Sequence, residues 1–262
     1  MGESPAHARL VHYLMEVLEW YFREQVCAIH ENCNFYLTLD SEESPIAPDI
    51  AVIKGVEPLD GRSWSIPKMG AVPQVVFEIG SKETWKDDRE DKPAKYALMG
   101  VQEYFAYDPN QPPLLRRNAR RLYGWQLDAN TGLMHRMLPG LGGRLWSVHL
   151  DSWLVPDGGY LRLYDRSGHM RLTGQEAEAE GKRTALRRAE TADRRAEVAE
   201  KRAQAEAKRA QAAARRAQAE AKRAEVEARR AEAERQRAEA EAQERKKLAE
   251  KLRSLGIDPD QL

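Results

Sequence analysis

Cysteine is nearly absent: Cys27 and Cys33 are the only two in 262 residues. Their C-x5-C spacing matches no zinc pattern, and two thiols build no disulfide framework, which leaves two reduced thiols in or near a strand. No apolar run approaches the ~18 residues of a membrane span. The opening MGESPAHARL has no basic stretch followed by an apolar one, so no secretory signal is expected. The chain reads as soluble and cytoplasmic. An excess of one charge is missing too, since 42 Lys/Arg balance 42 Asp/Glu. The balance hides a split: 23 basic and 19 acidic residues follow Thr173, leaving 19 basic and 23 acidic before Gln175. A mildly acidic front and a mildly basic tail exclude a protein that holds duplex DNA by bulk charge alone.

The tail lacks aromatic residues altogether. All six Trp, four Phe and nine Tyr precede residue 165, and no Gly or Pro occurs between Lys182 and Leu255. Residues 1–174 therefore hold the mass of one core. From Lys201 to Ala242 the chain repeats every seven residues: KRAQAEA, KRAQAAA, RRAQAEA, KRAEVEA, RRAEAER, QRAEAEA. Ala, Glu, Lys, Arg and Gln all favour helix, so residues 175–255 are expected to form one long helix. Residues 256–262 form a short end motif, with Gly256 and Pro259 as stops. Ala203, Ala207, Ala210, Ala214, Ala217, Ala221, Ala224 and Ala228 follow the 4-3 spacing of a coiled-coil seam. Asp193, Glu200 and Arg235 interrupt it. Two readings stand: a close-packed coiled coil that makes a homodimer, or a lone solvated helix held by pairs such as Glu225 with Arg229.

The front alternates elements. AHARLVHYLMEVLEWYFREQ has helical apolar spacing. VCAIHENCNFYLTL reads as one or two strands, PDIAVIKG as a short strand, and PQVVFEIG as a buried one. DREDKPAKYALMG reads as a helix that starts near Asp91 or Lys92, because Pro93 is accepted only in a first turn, and that stops at Gly100. Strands follow at VQEYFAYDP, RLYGWQLD, LWSVHL and YLRLYD. The fold class is α/β with a mixed sheet flanked by helices.

Glu78 stands among Val75, Val76, Phe77 and Ile79. A buried carboxylate costs several kcal/mol unless it is paired or binds a cation. Asp49 opens a neighbouring strand and Lys92 opens the next helix. Two carboxylates and a lysine suit metal-assisted hydrolysis of a phosphodiester: the acids hold Mg²⁺ through oxygen, and the lysine orients a water or offsets charge on the phosphate. Other residues have plainer readings. Asp88 fits a helix N-cap, Ser81 a turn, Tyr96 and Tyr104 the core, and His7 and His12 a surface or packing role on the first helix. Glu16 is a weaker third acid.

PDIAVI, PQVVFEIGS, DREDKPAKY, GVQEYFAYDP and the closing LRSLGIDPDQL, in that order, resemble the Uma-two family of restriction-endonuclease-like proteins. The resemblance covers about residues 5–174. It implies a PD-(D/E)XK nuclease core, a metal-dependent DNA endonuclease activity with DNA as substrate, and Mg²⁺ or Mn²⁺ as cofactor. It also implies the catalytic set Asp49, Glu78 and Lys92, with Asp49, Glu78 and the backbone carbonyl of Ile79 as metal ligands. The chain departs from the Glu-x-Lys motif, because Gly80 occupies the lysine position. A lysine displaced onto the helix answers that, with Lys82 and Lys95 as rivals to Lys92. The competing reading is a catalytically inactive nuclease fold used as an interaction module, scaffolded by the long helix. The discriminator is whether Lys92 Nζ reaches the carboxylates.

Overall fold

A computed structural model describes residues 4–39, 44–115 and 119–254. The end motif at 256–262 therefore lies outside the described residues. The chain divides into two units, 1–183 and 184–262. The boundary falls inside the last helix. Among the described residues no helix is long and apolar enough to cross a membrane.

The first unit opens with helix α1 (Pro5–Phe22), capped by Ser4, whose side chain accepts from the His7 amide. Strands β1 (Cys27–Glu31), β2 (Asn34–Tyr36), β3 (Ile50–Lys54) and β4 (Ser63–Ser65) follow, then the single turn α2 (Ile66–Met69). Strand β5 (Val75–Ile79) leads into α3 (Trp85–Glu90) and α4 (Lys92–Met99), and these return the chain to β6 (Glu103–Tyr107). The remainder is β7 (Leu122–Asp128), β8 (Leu133–Arg136), β9 (Leu145–Ser147), β10 (Ser152–Asp157) and β11 (Tyr160–Tyr164). Helix α5 (Gly174–Ser254) completes the described chain.

The main sheet has six strands in the order β1-β3-β5-β6-β7-β8. Only β5 and β6 run parallel; the other neighbours are antiparallel. The sheet is mixed because β5 and β6 are joined by a helical crossover, which parallel neighbours need; of the antiparallel neighbours only β7 and β8 are joined by a tight turn. Alternation along the strands feeds two cores. Val75, Phe77 and Ile79 of β5 pack with α1 and with β9–β11. Val76 faces the other way, toward Tyr96, Met99, Trp85 and Tyr104. By the same period of two, Glu78 lies on the α3/α4 face.

The expected helix at DREDKPAKYALMG is α4, with Pro93 in its first turn and Gly100 as its left-handed C-cap at φ 85°. A positive φ suits glycine because it has no Cβ to clash. The preceding α3, and strands β4, β8 and β10, were not expected. Strands β4 and β8 have three and four residues, β10 contains Pro156, and α3 carries five charges in six residues, so its apolar period rests on Trp85 alone.

Candidate active site

The site forms where β3 begins and β5 ends. Asp49 is the residue before β3. Its Oδ2 accepts from the Ile79 amide at 2.6 Å, so the acid ties the two strand ends together just past the last β3–β5 register pair, Ile50 with Phe77. A residue in an extended strand directs its N–H and C=O to the same edge. The Ile79 carbonyl therefore faces the space that Asp49 borders.

Glu78 is 4% exposed. Its Oε1 lies 2.6 Å from Lys92 Nζ and accepts a short hydrogen bond from the Tyr96 hydroxyl; Oε2 takes no part in these contacts. The same Lys92 Nζ lies 2.8 Å from Asp88 Oδ1. Asp88, 1% exposed, accepts from Thr84 Oγ1 at 2.9 Å, and its backbone carbonyl accepts from the Tyr104 hydroxyl at 2.6 Å. One lysine thus serves two buried acids. Burial pushes the Glu78 carboxyl up to about 8, and the charge of Asp49 adds to the rise, against the pull of Lys92 and Tyr96. Burial also raises Asp88. Lys92 is raised because the attraction of Glu78 and Asp88 outweighs the opposing effect of its own burial.

Asp49 meets the Ile79 amide and Lys92 meets Glu78, the residue before Ile79; the carboxylates that Lys92 Nζ reaches are those of Glu78 and Asp88. Lys82 and Lys95 are exposed and take no part. Glu16 is elsewhere, 3.6 Å from His12 on the outer face of α1.

Two plainer readings need correction, and a third gains a role. Asp88 is no N-cap: it lies inside α3 and meets Lys92 one turn on, across the α3–α4 junction. Tyr96 is core, yet its hydroxyl also holds Glu78. His7 is neither exposed nor mere packing, since its Nε2 lies 3.1 Å from Asp49 Oδ1. A signal for each was present. His7 falls on the stripe of Leu10, Leu14 and Val17, where a polar residue is out of place. Asp88, Lys92 and Tyr96 recur every four residues, which aligns them along one helical face.

Gly80, where Glu-x-Lys would place its lysine, has a steric reason. A Cβ there would sit 2.4 Å from the Trp85 ring. The space is filled by Trp85, and the cation arrives from α4 instead.

Among the described residues no three His, Cys, Asp or Glu side chains form a metal cage. Mg²⁺ does not need one: it is usually held by one or two carboxylates and keeps several waters. Asp49, Glu78 and the Ile79 carbonyl fit that donor set.

A family model for Uma2, described as "Putative restriction endonuclease", matches residues 1–140. No curated protein matches the chain. Among solved structures it is similar to one described as a putative nuclease belonging to DUF820 from Anabaena variabilis. The identity is 10% and the TM-score 0.42, over 57% of this chain and 76% of that one.

Proposed function

Because the chain belongs to the Uma2 family of restriction-endonuclease-like proteins, we propose that it is a metal-dependent endonuclease acting on DNA. The single observation that carries this is the position of Lys92, 2.6 Å from Glu78, despite Gly80 at the usual lysine position. A fold kept only as an interaction module has no need for a half-buried lysine over a carboxylate whose other oxygen is left outside the pairing.

Asp49, Glu78 and the Ile79 carbonyl would hold Mg²⁺ or Mn²⁺, which supplies the Lewis acidity that phosphodiester hydrolysis needs. Asp49 is fixed by the Ile79 amide and His7. Tyr96 fixes Glu78. Lys92 places a positive charge beside the scissile phosphate and offsets charge that grows there. Asp88 keeps that ammonium in place from the far side.

The test uses supercoiled plasmid with the full chain in Mg²⁺, Mn²⁺ and EDTA, beside Asp49→Asn. We expect metal-dependent nicking or cutting, reduced at least ~10²-fold in the variant. Cutting in EDTA would remove the metal from the reaction, and equal cutting by the variant would remove Asp49.

We also propose that α5 pairs two protomers, so that two sites face the two antiparallel strands of a duplex. The alanine seam from Ala203 to Ala228 is exposed along its whole length, and small residues let helices approach closely. Sedimentation equilibrium of the full chain should give a dimer, and Ala210→Glu with Ala217→Glu should give a monomer. A monomeric parent chain would end the pairing idea.

A further inference from the structure

Three arginines surround the ring of Tyr123. The guanidinium carbons of Arg89, Arg120 and Arg136 lie 5.6, 5.9 and 4.7 Å from its centroid. Arg89 is braced by its Nε–H, which donates to the Trp85 carbonyl at 3.1 Å, and Trp85 meets Tyr123 edge-on at 5.6 Å. Among the described residues none of the three is ion-paired to a carboxylate: Glu90 is engaged by Lys86 and Asp128 by His135. Asp87 lies two residues before Arg89, about 200° around the helix and so on its other side. Arg120, Tyr123 and Arg136 line a depression of about 410 Å³ together with Met137, Leu138 and Pro139.

Three like charges gathered on one ring repel each other, and this in a front half whose acids outnumber its bases. Stacking on Tyr123 holds the guanidiniums in place, but apart from Arg89 Nε–H on the Trp85 carbonyl it leaves their donors unmatched. An anion with several oxygens would meet those donors and remove the repulsion. Phosphate suits the planar, bidentate geometry of arginine.

The position of the patch says which phosphate. Glu78 is in register with Ala106, and Ala106 with Tyr123, so the three lie in one row on one face of the sheet. Two strand spacings of ~4.8 Å put Tyr123 about 10 Å from Glu78. Neighbouring phosphates of one strand stand farther apart than the ~3.4 Å axial rise, so this span is fewer than three nucleotide steps. Resting on the nuclease reading, we infer that Arg89, Arg120 and Arg136 form a phosphate clamp that grips the DNA backbone fewer than three nucleotides from the bond held at Glu78. The clamp is a positioning element and touches no reacting atom. It gives affinity without sequence preference.

The experiment is fluorescence anisotropy of a labelled 24-base-pair DNA duplex with the full chain in EDTA, titrated across a salt series. The parent chain is compared with a variant carrying Arg89→Gln, Arg120→Gln and Arg136→Gln, and with Arg120→Gln alone. The single change is at an exposed residue and keeps the test valid if the triple variant folds poorly. We expect the triple variant to bind at least ~10-fold more weakly at 0.1 M salt. Its plot of log affinity against log salt should be shallower by two to three units, and that of Arg120→Gln by about one, at about 0.9 per phosphate contact. Unchanged affinity and slope, or no duplex binding by the parent chain, would overturn the clamp. The clamp and the nuclease reading separate cleanly. Clamp-dependent binding with no cutting of any plasmid keeps the clamp and removes the nuclease. Cutting by the triple variant with unaltered KM and salt dependence keeps the nuclease and removes the clamp.

Discussion

Lys92→Met is expected to cut the rate of DNA cleavage at least ~10²-fold, the range for removing one electrostatic or proton-transfer group from an active site. It should also destabilise the metal-free protein, and by an amount that depends on pH. The lysine is the only cation placed by the described structure against both Glu78 and Asp88. Without it two buried acids lose their shared cation and keep only the hydroxyls of Tyr96 and Thr84, a loss on the order of 3 kcal/mol when both are ionised. The sign with pH follows from Glu78. Its carboxyl moves from an ordinary ~4.3 up to about 8 in the fold, so the folded state holds the extra proton between those values. Stability from this group is full below the lower value and is lost as pH rises through the upper one. Removing Lys92 raises the folded value further and extends the loss to higher pH. Thermal melts in EDTA should therefore show parent and variant further apart at pH 8.5 than at pH 6. Equal gaps at both pH values would mean that Lys92 does not compensate Glu78.

Gly80→Ala is the second large effect, and here the cause is space. A Cβ would come within 2.4 Å of Cε3 and 2.9 Å of Cζ3 of Trp85, a side chain only 3% exposed and packed on Tyr123. Overpacking of this kind costs about 1–3 kcal/mol, a drop in Tm of roughly 3–10 °C for a domain of this size. In a Trp85→Leu background the same change should cost distinctly less, because the obstructing ring is gone; equal costs would deny the contact. A corollary concerns the motif. Gly80→Lys in the Lys92→Met variant, which rebuilds Glu-x-Lys in sequence, should not recover cleavage, since Trp85 fills the space beside position 80, just past β5. Recovery would mean that Trp85 swings aside readily.

Much of the fold follows from local signals. The apolar run at β5, the helical stripe of α1, Pro93 and Gly100 at the ends of α4, and the seven-residue repeat of α5 each depend on neighbours in the chain. The single acid in β5 announced itself because its flanks are apolar. The short elements gave weaker signals: α3 has one large apolar residue, and β4 and β8 have three and four residues, too few for a period to emerge.

The sequence by itself determined which residues had to find partners. It carried a buried acid at 78, an acid before a strand at 49, lysines near a helix start, and no lysine at 80. Tertiary structure alone decided the partners. Asp49 meets the Ile79 amide across thirty residues of chain, His7 arrives from α1, and Asp88 turns out to share Lys92 rather than cap a helix. It also decided that Gly80 stays glycine, for a ring five residues on fills its space. The physical reason is the same in each case. Periodicity and capping are set by residues three or four apart, whereas hydrogen bonds to a buried carboxylate, and the volume beside a backbone atom, depend on chain segments that only packing brings together.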